Sequence, residues 1–119
     1  MLRSILAIAA LLSPLALSAQ EVPRVDLDQR MLLRCSATFA IVADRQQRGE
    51  GWALAYPAMA EVGREFFVRA SAKVMDDTGM TREQVAVHLQ TEAEDIWQTQ
   101  AIAQMMPVCL PLLTVPGGG

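Results

Sequence analysis

Cys35, in LLRCSATFAIVA, and Cys109, in MPVCLPLL, are the two cysteines of this 119-residue chain. A cysteine can act as a nucleophile, a metal ligand or half of a disulfide. A redox-active pair wants C-x-x-C spacing, which places the two sulfurs together to tune a thiolate, and these cysteines lack it. Two cysteines without histidine neighbours also make a poor metal site. His88 is the chain's one histidine. With no second histidine or positioned nucleophile, it reads as a surface or boundary side chain rather than a base. Glu92, Glu94 and Asp95 read as a solvated helix face. Asp76 and Asp77 precede Thr-Gly but lack the alternating oxygen ligands of a calcium loop. The methionines are scattered, as core fillers are. The expectation is therefore no catalytic residue, no metal and no cofactor. Trp52, Tyr56 and Trp97 remain, either capping the ends of a core or lining a ligand groove.

The compartment decides what two cysteines do. The chain begins MLRSILAIAALLSPLALSAQEVP. Arg3 supplies a short positive region, Ile5 to Leu12 are unbroken apolar, and Pro14 precedes small residues suited to cleavage after Ala19. The segment is too short for a membrane span, which needs about 20 apolar residues. Residues 1–19 read as a cleaved signal peptide, leaving a periplasmic or secreted protein that begins at Gln20 and keeps no stable membrane anchor. Removing Arg3 leaves nine basic against 13 acidic residues, a net charge of −4. Clustered positive charge, which nucleic acid or an anionic membrane surface would require, is missing.

The elements that must position these residues are helices. Residues 20–25 form an extended leader held out of helix by Pro23, and residues 26–115 a helical domain. Asp26 and Gln29 have capping-box spacing. Leu32, Cys35, Phe39 and Val42 then repeat as one helix face, and Gly49 supplies a stop. A second helix is expected from near Pro57, with Met59, Val62, Phe66, Ala70 and Val74 inward and Gly63 marking a close contact. Gly79 ends it. Thr81 and Gln84 form a second capping box, with Met80 placed to staple against Val85. Val85, Leu89, Ala93 and Ile96 carry the third stripe. Its phase slips at Gln98 to Gln100, and Ile102, Met105 or Met106, Cys109 and Leu113 start a new register interrupted by Pro107 and Pro111. Residues 116–119 read as a frayed tail.

Two cysteines on apolar stripes in an oxidising compartment are expected to pair. That pairing constrains the architecture. Cys35 lies roughly 12 Å up the first helix, whereas Cys109 at the end of an unbroken third helix would lie about 40 Å up, at 1.5 Å per residue. No disulfide spans such a gap. The chain must turn back near Gln98 to Gln100. The expected fold is all-α: a small bundle of three to four helices, the last short and Pro-kinked, closed by one disulfide.

The leader together with DQRMLLRCSATFAIVA, GREFFVRASAKVMDDTGMTREQV and CLPLL resembles small, uncharacterised exported helical proteins of alphaproteobacteria with one cysteine pair. That resemblance carries no assigned activity. The architecture alone is similar to the HdeA-type acid-stress chaperones, although their lysine-rich character is missing here. The expectation is a non-enzymatic helical module that binds an envelope protein or a small apolar ligand. The alternative is an acid-activated periplasmic chaperone.

Overall fold

The computed structural model describes residues 22–114; residues 1–19, read as a signal peptide, and 116–119, read as a tail, lie outside them. Helix α1 spans Leu27–Gln47, α2 is one turn at Gly51–Leu54, α3 spans Ala60–Thr78, α4 Arg82–Gln98 and α5 Ile102–Cys109, running into a 3-10 turn at Leu110–Thr114. Among the described residues there is no strand, and no helix is long and apolar enough to cross a membrane. Residues 22–26 are non-helical.

Both N-terminal capping boxes form. Asp26 accepts from the Gln29 amide at 2.7 Å while the Gln29 side chain takes the Asp26 N–H at 2.9 Å. Thr81 and Gln84 exchange the same pair of bonds at 3.2 and 2.9 Å. Met80 and Val85 are buried in one cluster with Leu33 and Val74, which places the staple where α3 turns into α4.

Helix α1 is the centre of the bundle, with α3, α4 and α5 packed around it. Cys35 through Phe39 are five consecutive buried residues, and Leu33 is wholly buried. The single stripe expected for this helix is thus too narrow. Leu32 is only partly buried, because α1 is covered from several sides rather than one. Ser36 and Thr38 tolerate burial by returning their hydroxyls to the Leu32 and Arg34 carbonyls, each at 2.8 Å. On α3 the inward face holds Gly63, Phe66, Ala70, Ser71 and Val74. Val62 is exposed, a correction to the expected stripe. The helix also starts three residues after Pro57, at Ala60, because the chain from Gly51 first makes the short α2. Gly63 marks the expected close contact: a Cβ there would stand 3.2 Å from the Cβ of Phe39. Phe39 and Phe66 meet edge to face with centroids 5.2 Å apart, a favoured aromatic geometry.

Helices α1 and α4 end in the same way. The Gly49 amide bonds to the Gln46 carbonyl and the Glu50 amide to Arg45; the Gln100 amide bonds to Trp97 and the Ala101 amide to Ile96. Each is a Schellman closure, which needs one left-handed residue. At α1 this is Gly49 (φ 74°), and at α4 it is Gln100 (φ 54°). The register slip is therefore a true break. α5 folds back to bring Cys109 to Cys35, with Cα atoms 5.3 Å apart across a separation of 74 residues. Pro107 lies inside α5 and gives no hydrogen bond to the Ala103 carbonyl.

The chain-entropy model gives about 4 kcal/mol for a crosslink closing a loop of this size. Reduction, or Cys35→Ser, is expected to lower unfolding stability by roughly 2–5 kcal/mol in denaturant titrations. Far-UV circular dichroism of the remaining folded fraction should be largely unchanged, because caps and stripes are local. A loss well under 1 kcal/mol would show that the bond is not what holds α5 in place.

Candidate functional site

Three features surround α1. The first is a cleft of about 500 Å³ at the end where α1 and α4 terminate, lined by Trp52, Tyr56, Trp97, Gln100, Ile102 and Ala103. The three aromatics expected either to cap the core or to line a groove are thus brought together in one hollow. Trp52 is 42% and Trp97 48% exposed, so neither is spent on core packing. Polar contacts hold them instead. The Arg45 guanidinium lies 4.2 Å from the Trp97 ring centroid. Its Nη1 donates to Glu50 Oε1 at 3.1 Å, and Glu50 Oε2 accepts the Trp52 indole N–H at 2.8 Å. The carboxylate of Glu50 therefore ties the two tryptophans together.

Gln46 fixes the segment between α1 and α3. Its Nε2 donates to the carbonyls of Ala53, Tyr56 and Pro57 at 3.0, 3.2 and 2.8 Å, and its Oε1 accepts the Met59 amide at 2.9 Å. One side chain thus supplies the polar partners of a loop and caps the start of α3, which has no side-chain cap of its own. The one cue to this role in the sequence is an amide at the end of a helix followed by a loop without a capping residue.

The second feature is an apolar groove. α3 and α4 meet beside the Gly79 turn through Val74, Met80 and Val85. Farther from that turn, α1 lies between them with Ala40 exposed. Ala37, Ala40, Ile41, Leu89 and Ala93 line a hollow of about 560 Å³ flanked by Phe67 and Trp97, with Asp44 and Glu94 also in its lining. It continues across Ala40 and Phe67 into a second hollow of about 420 Å³ against Met59, Gly63 and Arg64.

The third feature corrects the reading of Glu92 as part of a solvated face. Glu92 is buried between α4 and α1. Its Oε1 accepts Arg30 Nε at 2.8 Å and its Oε2 accepts Arg34 Nη1 at 2.7 Å; Arg34 Nη1 also reaches Asp95 at 2.8 Å. Burial works against the charge of Arg34, but its bonds to Glu92 and Asp95 outweigh this and raise its pKa. A group raised on folding stabilises fully below its unfolded value, so this contribution is constant across all ordinary pH. Glu94 remains exposed, as expected. His88 is a boundary residue whose Nε2–H donates to the Pro23 carbonyl at 2.9 Å and so moors the leader. Among the described residues no cluster of three metal-ligating side chains occurs.

No protein family matches this chain, and no curated protein or solved structure is detectably similar to it.

Removing one partner of a buried ion pair leaves the other charge uncompensated. Glu92→Gln is expected to cost about 2–4 kcal/mol in urea unfolding, discounted for the half-exposed Arg30. The double variant Arg34→Met/Glu92→Leu should recover most of that loss, since an apolar pair of similar volume fits the same place. No loss in the single variant would show that water reaches Glu92.

Proposed function

We propose that this protein is an exported, non-enzymatic binding module of the cell envelope, and that its groove on α1 holds the apolar face of a partner helix. The observation that carries this reading is the pairing of Phe67 and Trp97. Both are large, both stand substantially exposed, and they flank the uncovered Ala40 surface of the central helix. Small residues on the floor let a guest backbone approach closely, and large apolar residues on the walls supply contact area, as helix-in-groove recognition requires. Export is supported by the composition of residues 1–19 and by the Cys35–Cys109 pair, since disulfides persist in oxidising compartments.

The test is affinity capture from the periplasmic fraction of a host that exports the protein, using material whose intact mass begins at Gln20. One partner should be enriched, and Ala40→Arg and Phe67→Glu should each reduce it at least tenfold without lowering the melting temperature. A partner retained by both variants, or mature protein found only in the cytoplasm, would refute the reading.

The Glu92 cluster favours a second function, an acid-activated chaperone. α4 is held to α1 by carboxylate acceptors, so protonating Glu92 and Asp95 leaves Arg30 and Arg34 unneutralised beside each other. The predicted consequence is α4 loosening and the apolar lining of the groove becoming exposed. At about pH 2–3 the protein would then bind a hydrophobic dye and suppress aggregation of an acid-denatured client. Compact structure at that pH, with no client protection, would leave the groove-binding function standing alone.

A further inference from the structure

We propose that the cleft walled by Trp52, Tyr56 and Trp97 is a binding site for a quaternary ammonium group, such as a trimethylammonium head. The chain has two tryptophans and one tyrosine, and all three line this one hollow. The faces of aromatic rings carry negative potential, and several rings around one space attract a diffuse, weakly hydrated cation. The rest of the lining is Gln100, Ile102 and Ala103. It holds no charged side chain, so no resident cation competes, and it has few acceptors to serve a primary ammonium or the many hydroxyls of a sugar. Its volume of about 500 Å³ is in the range of small-molecule sites.

The neighbouring charges support the assignment. Arg45 already places a cation on Trp97, yet it lines the α1 groove and not this cleft. Its charge is offset by Glu50 at 3.1 Å, so it does not oppose a second cation on the cleft side. The walls are also set before any ligand arrives. Glu50 holds the Trp52 indole, and Gln46 holds the backbone that carries Tyr56. A site whose walls need no ordering loses less entropy on binding. Gln100, which lines the cleft, is held in place by the Schellman closure of α4.

The decisive comparison is choline against 3,3-dimethylbutan-1-ol, its neutral carbon isostere, each titrated into the disulfide-intact protein. Tryptophan fluorescence and the indole N–H resonances report binding. Choline should bind saturably and at least ~5-fold more tightly than the isostere. Trp52→Leu and Tyr56→Leu should each weaken choline by a similar factor while far-UV circular dichroism is retained. Phe67→Glu, which disrupts the α1 groove, should leave choline binding intact, so the fate of the groove reading does not decide this one. Equal affinity for the two compounds would show an apolar hollow and overturn the assignment. So would the lack of any saturable choline response.

Discussion

The bond between Cys35 and Cys109 joins the middle of α1 to the end of α5, and the rest of the arrangement follows from satisfying it. A helix continued from α4 would carry Cys109 far past its partner, so the chain must reverse between them. The reversal is made by a Schellman closure with Gln100 in the left-handed position. Once α5 returns, α1 is covered on a third side. Ile102, Met106 and Cys109 join Phe39, Phe66 and Ile96 in one buried cluster. The surface of α1 that stays open lies between α3 and α4, and that is where the groove is.

Local signals in the sequence survive folding unchanged. The boxes at Asp26–Gln29 and Thr81–Gln84, the Met80–Val85 staple and the stops at Gly49 and Gly79 are each made within a few residues, so tertiary packing has little to override. The reversal at Gln100 was legible only as a break in phase, because the usual glycine is missing from the left-handed position. Burial depends on what packs from elsewhere, and there the sequence was less informative. A single stripe on α1 understates a helix enclosed by three neighbours, and Val62 falls outside a face that Gly63 and Ser71 occupy instead. Glu92 could not be recognised from its own surroundings. Its burial depends on Arg30 and Arg34, about sixty residues earlier.

Of the candidate site, the three aromatics were recognisable by type but not by their convergence. What unites them is polar: Glu50 between Arg45 and Trp52, and Gln46 under the loop that bears Tyr56. These residues look like ordinary surface polar groups at the end of a helix. Their role exists only once α1 and α4 terminate side by side. The same physics separates the two hollows. Trp97 belongs to both, with Arg45 on the groove side and the other aromatics on the cleft side.

The crosslink also distributes rigidity unevenly. It fastens α5 to α1 covalently, whereas α3 and α4 are held to α1 by packing and meet each other near the Gly79 turn, where Val74, Met80 and Val85 lie in one cluster. α3 and α4 therefore resemble the arms of tongs closed at one end, with α1 as a fixed jaw between them. Spreading the arms at their free ends would have to break their packing on α1, including the Phe39–Phe66 contact and the Glu92 ion pairs. The width of the groove is therefore set by noncovalent packing on α1, and the position of α5 by a covalent bond.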